Sequence, residues 1–105
     1  MVDESPGFVW IFMQAGARFP GGAFTSRKSA EAWISTHKLT GVLTAYPVDT
    51  GAFDWAVAQG FFTPSNPNHR SSSFVGGFTS ARMEHAHFED GQLVSSERRD
   101  EKSSH

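Results

Sequence analysis

Residues 21–49, GGAFTSRKSAEAWISTHKLTGVLTAYPVD, decide the fold class. Ala23-Phe24 ends a short strand, and Thr25 or Ser26 supplies an N-cap hydroxyl for the helix that follows. Ala30, Trp33, Ile34 and His37 fall at i, i+3, i+4 and i+7, one apolar helical face, while Arg27, Lys28, Glu31 and Lys38 take the polar side. Lys38 suits the helix C-terminus, and Gly41 offers a place for the chain to turn back. Val42 to Val48 then reads as a strand, with Pro47 near its end because proline cannot donate to a ladder.

Working outward, Phe8-Val9-Trp10-Ile11-Phe12-Met13 is an unbroken apolar run of strand length, which predicts a strand buried on both faces. Residues 15–22 are turn material, so this strand and Ala23-Phe24 form a hairpin. Asp49 or Thr50 is expected to cap a second, short helix over 52–59, closed by Gly60. Phe53, Ala56 and Val57 form its apolar side, with Phe61 and Phe62 behind. TPSNPNHRSSS, residues 63–73, has turn composition and is expected to be a mobile loop. Periodicity leaves Phe74 to Phe78 open between a helical turn and a strand. Arg82 to Phe88 alternates as a last strand, with Asp90-Gly91 as its turn. The echo of residues 21–26 in residues 76–80 is not followed by a second copy of the helix, so no duplication is inferred.

The class is therefore α+β: a single small domain over 8–94, with a mostly antiparallel sheet on one main helix and a second short one. Residues 1–7 are expected to be flexible, and the polar residues 95–105 to be a disordered tail. Trp33, at the centre of the clearest helical face, is expected to cost about 3–5 kcal/mol on replacement by alanine if fully buried.

Composition narrows the function classes. The chain has 105 residues, enough for one core. Its ten Phe and three Trp can cover that core with few side chains. A formal net charge of -2 gives no basic face for a phosphate backbone, so nucleic acid is not an expected partner. The absence of cysteine removes disulfides, thiolate metal sites and thiol nucleophiles. No apolar run approaches the ~20 residues of a membrane span, and the acidic start does not resemble a signal peptide, so a cytoplasmic protein is expected.

The blocks FVWIFMQAGARFPGGAFTS, AEAWI, LTAYPVDTGAFDWAVAQGFF and EHAHFEDG together resemble a family of small bacterial domains that carry only a domain-of-unknown-function label. The resemblance spans roughly residues 8–91. It implies a bacterial α+β domain without assigned activity, and it carries over no catalytic residue.

Chemistry has few places to reside. His85 and His87 lie two apart on a strand, so both imidazoles point to one face with Cα atoms roughly 6–7 Å apart, and Glu89 follows on that face. Alternation also puts Met83 there and Glu84, Ala86 and Phe88 on the other side. His85, His87 and Glu89 are the candidate Zn²⁺ ligands. The alternative is a half-exposed strand with its polar residues outward and Ala86 and Phe88 inward. Two imidazoles supply only half a tetrahedral shell, so no stoichiometric metal and no cofactor are expected. His69 is a further nitrogen donor that the sequence places nowhere in particular.

Arg18 and Asp54 are candidates for a pair that anchors a loop or meets a ligand. Tyr46, with Trp10 and Trp55, is a candidate aromatic recognition surface, set against plain core packing. Thr25-Ser26-Arg27-Lys28 opens a helix, yet it lacks the order of a phosphate loop and reads better as a cap. No Gly-x-Ser-x-Gly elbow occurs, so nucleophilic hydrolysis is unsupported. The expected function is a non-enzymatic interaction module, of accessory or immunity type, whose partner is another protein or a second copy. The alternative is a metal- or small-ligand-binding protein built on the His85/His87 strand.

Overall fold

The computed structural model describes residues 7–97. The expectations for residues 1–6 and for residues 98–105 lie outside them. Five antiparallel strands, β1 (Phe8–Gln14), β2 (Gly22–Phe24), β3 (Gly41–Pro47), β4 (His85–Glu89) and β5 (Gln92–Glu97), form one sheet in the order β2-β1-β3-β4-β5. Three helices accompany it: α1 (Arg27–His37), α2 (Ala52–Ala58) and the short α3 (Ser72–Gly76). This is the α+β class read from the sequence.

Helix α1 forms as its pattern dictates. The Ser26 hydroxyl accepts a hydrogen bond from the Ser29 N–H at 3.1 Å, satisfying one of the free donors of the first turn. Its apolar face carries the buried Ala30 and Ile34 onto Phe12, Leu43, Ala86 and Phe88 of the sheet. Trp33 is only half-buried, edge-on to Phe12 and tilted against Phe24, so it does not anchor this core as the helical pattern alone suggests. The exit is made by Lys38, which adopts the left-handed conformation at φ 53°.

Gly41 has a different role from a turn. It is buried as the first residue of β3, where a Cβ would overlap the Met13 carbonyl and press on the Phe12 ring. Because one of those neighbours is backbone, the strands can make room only by separating. Gly41→Ala is therefore expected to cost about 1–3 kcal/mol. Urea unfolding measures it, and a loss under about 0.5 kcal/mol would mean the β1–β3 ladder yields freely there.

The second packing centre lies toward the Phe8–Pro47 end of the sheet. Trp55 and Ala56 of α2 pack with Met83, and Phe8, Tyr46, Phe61 and Phe62 close around them. The N-cap of α2 is Gly51 without a side-chain bond, in place of the expected Asp49 or Thr50. Residues 63–73, expected to be a mobile loop, instead hold a 3₁₀ turn at Pro67–Arg70 and the start of α3. The Asn66 and Ser71 side chains cap these two turns, and the His69 ring packs on Phe62 and Phe74. Phe74 then belongs to a helix, which resolves the ambiguity left by periodicity.

The end of the chain corrects two expectations and keeps the expected Asp90-Gly91 turn. Strand β4 starts at His85, so strand alternation does not reach Met83, which is fully buried in the second cluster. Asp90 and Gly91 have φ of 50° and 81°, the pair of positive values that a two-residue hairpin turn requires. That hairpin adds β5, so the polar residues 95–97, expected to open a disordered tail, are strand. The turn is tied to the exit of α1 by Asp90 N–H to Thr40 Oγ1 at 3.0 Å and Gly91 N–H to the Leu39 carbonyl at 2.9 Å.

Candidate functional site

Strand β1 is not buried on both faces. Phe12 is its one fully buried side chain, while Val9, Ile11 and Met13 point away from α1 and stay half-buried. The register aligns them with residues of the other strands. Ala23, Ile11, Thr44 and His85 form one row across the sheet, and Met13, Val42, His87 and Ser95 form the next. The face opposite α1 therefore carries Val9, Ile11, Met13 and Val42 with Thr44 among them, and ends in two imidazoles on β4. This surface is the candidate site.

His85 and His87 lie as alternation requires, with Ala86 and Phe88 buried behind them. Their ring centroids are 5.4 Å apart at an interplanar angle of 81°. His85 Nδ1 lies 2.8 Å from the Met83 carbonyl oxygen. A carbonyl can only accept, so Nδ1 carries the proton and Nε2 is the lone-pair nitrogen of the neutral ring. Two shallow hollows flank the pair. One, of about 250 Å³, lies between Val42, Thr44 and His85 and the chain at Thr79 to Ala81. The other, of about 450 Å³, is lined by Val42, His87, Glu89 and the exposed Val94, among others. Glu89 is exposed at the end of β4. Among the described residues, no group of three or more His, Cys, Asp or Glu is placed to hold a metal ion.

The remaining candidates are dispersed. Arg18 is exposed in the β1–β2 loop and Asp54 is exposed on α2, and among the described residues no ion pair joins them. Their elements adjoin opposite ends of β1, a strand of seven residues and so roughly 20 Å long. Tyr46, Trp10 and Trp55 do not make one aromatic surface. Trp10 packs into the α1 cluster, whereas Tyr46 and Trp55 belong to the second cluster. The start of α1 serves as a cap, with the Ser26 hydroxyl committed to the first turn.

Arg27 is the residue whose importance the sequence conceals. On the helix it reads as a solvated neighbour of Glu31, and Nε does meet Glu31 Oε2 at 2.7 Å. The guanidinium also reaches Glu84 Oε2 at 3.4 Å and lies 5.6 Å from the centre of the Trp10 ring. It thus links α1 to Trp10 of β1 and to Glu84, the residue just before β4. Only the i,i+4 partner was visible as a local pattern.

The chain matches a family described as Domain of unknown function (DUF7710) over residues 9–94. It belongs to that family. Among curated proteins and solved structures nothing matches significantly. Among the described residues no helix is long and apolar enough to cross a membrane.

Proposed function

We propose that this member of the DUF7710 family is a bacterial, cytoplasmic, non-enzymatic interaction module that binds another protein, as an accessory or immunity-type protein does. The observation that carries the reading is the sheet face opposite α1, where Val9, Ile11, Met13 and Val42 stay half-buried and, among the described residues, belong to neither buried core cluster. A face that is apolar at its centre and polar at its rim has the composition of a protein–protein interface. The adjoining β5 edge exposes Leu93 and Val94, which extends the apolar surface around the side of the domain. The register irregularity between His87 and Phe88 interrupts the β4–β5 ladder beside this edge, which favours docking on the face over addition of a strand.

The test is affinity capture from the native cell, comparing the wild type with Val42→Lys after matching their circular dichroism and melting. A stoichiometric companion retained by the wild type and lost from the variant is the expected result. Sedimentation of the purified chain distinguishes a second copy from a different protein. A monomer with no companion, or one captured equally by both forms, would overturn the reading.

A further inference from the structure

We propose that His85 and His87 form an open, two-imidazole site for a divalent transition ion of the Zn²⁺ or Cu²⁺ type. This goes beyond the protein-binding reading and does not depend on it. Three observations support it.

The first is ring separation. An imidazole nitrogen lies about 2.05 Å from zinc, which puts the ring centre about 3.2 Å from the ion. Two such rings at the tetrahedral angle have centres about 5.2 Å apart. The observed separation of 5.4 Å fits that spacing, while the rings stand nearly perpendicular in an edge-to-face contact, so chelation requires ring rotation to turn both lone pairs toward one point. The strand itself therefore brings the two rings to the spacing that chelation needs.

The second is the tautomer. Metal-binding histidines characteristically donate their other ring N–H to a carbonyl or carboxylate, which fixes the ring and raises its basicity. His85 has that partner in the Met83 carbonyl at 2.8 Å. Met83 is fully buried in the second cluster, so the acceptor is anchored by the core. The third is access. The hollows beside His85 and His87 leave the outer side of the pair open to water.

No third His, Cys, Asp or Glu joins the pair among the described residues. The ion would keep further positions for water, and binding would be exchangeable rather than that of a resident structural metal. The general order of divalent affinities then makes Cu²⁺ bind more tightly than Zn²⁺.

The experiment is calorimetric titration of the untagged full chain with ZnCl₂ and, separately, CuCl₂ in a buffer that does not coordinate metal. One ion per chain is expected, with Cu²⁺ the tighter. His87→Ala, at an exposed position, should weaken binding at least tenfold, and His37→Ala should leave it unchanged. Nitrogen-15 spectra of the unaltered protein test His85 without mutation: Zn²⁺ should shift its Nε2 while Nδ1 keeps its proton. Absence of heat, binding unaffected by His87→Ala, or Zn²⁺-induced shifts confined to other histidines would overturn the proposal.

Discussion

Phe12→Ala is expected to lower the unfolding free energy by about 3–5 kcal/mol. Phe12 is 1% exposed and sits in β1 opposite Leu43, edge-on to Trp33 at 5.7 Å. Removing the ring leaves a void bounded by the β1–β3 ladder and by α1. The ladder cannot collapse into it without losing strand hydrogen bonds, so most of the cavity should persist. Domains of this kind are stable by only about 5–15 kcal/mol, so the loss is a large share of the total. Urea denaturation at matched slopes measures it. A loss below about 1 kcal/mol would mean that α1 settles onto the sheet and fills the gap.

Met83→Ala is the second large effect, expected at about 2–5 kcal/mol. Met83 has no exposed surface and packs with Trp55 and Ala56, inside the ring of Phe8, Tyr46, Phe61, Phe62 and Phe78. It is the buried residue that links the chain entering β4 to α2. Its loss should loosen the aromatic group of Phe53, Phe62, Phe74 and Phe78, whose rings lie 5.2–6.2 Å apart. Unfolding followed by tryptophan fluorescence and by far-ultraviolet circular dichroism should shift together, because Phe8 belongs at once to β1 and to this cluster. Separate transitions would show that the two clusters unfold independently. Trp33→Ala, which the helical pattern places among the most destabilising changes, should cost less than Phe12→Ala because its ring keeps contact with water.

The site was legible in part. His85 and His87 share a face because alternation is a local property of a strand, and two residues suffice to reveal it. What faces them was not local. Thr44 and Val42 come beside them through the β3–β4 register, across about forty residues of sequence that contain both short helices. The separation of Arg18 from Asp54 follows from the same topology, since β1 places their elements at its two ends.

Periodicity, capping and turn chemistry act over a few residues, so the sequence by itself determined helix α1 with a hydroxyl cap at Thr25 or Ser26, the β1–β2 hairpin, the α+β class and the inward facing of Ala86 and Phe88. Tertiary structure alone decided what each surface meets. It buried Met83 although Met83 lies outside the strand, and half-exposed Trp33 on the best helical face. It made Gly41 a point of close strand approach, and brought Glu84 to Arg27 from 57 residues away. It also recruited the polar residues 95–97 into the fifth strand, because the unpaired backbone groups of β4 accept a neighbour whatever its side chains. Burial and pairing depend on contacts between distant segments, and no pattern confined to one segment can specify them.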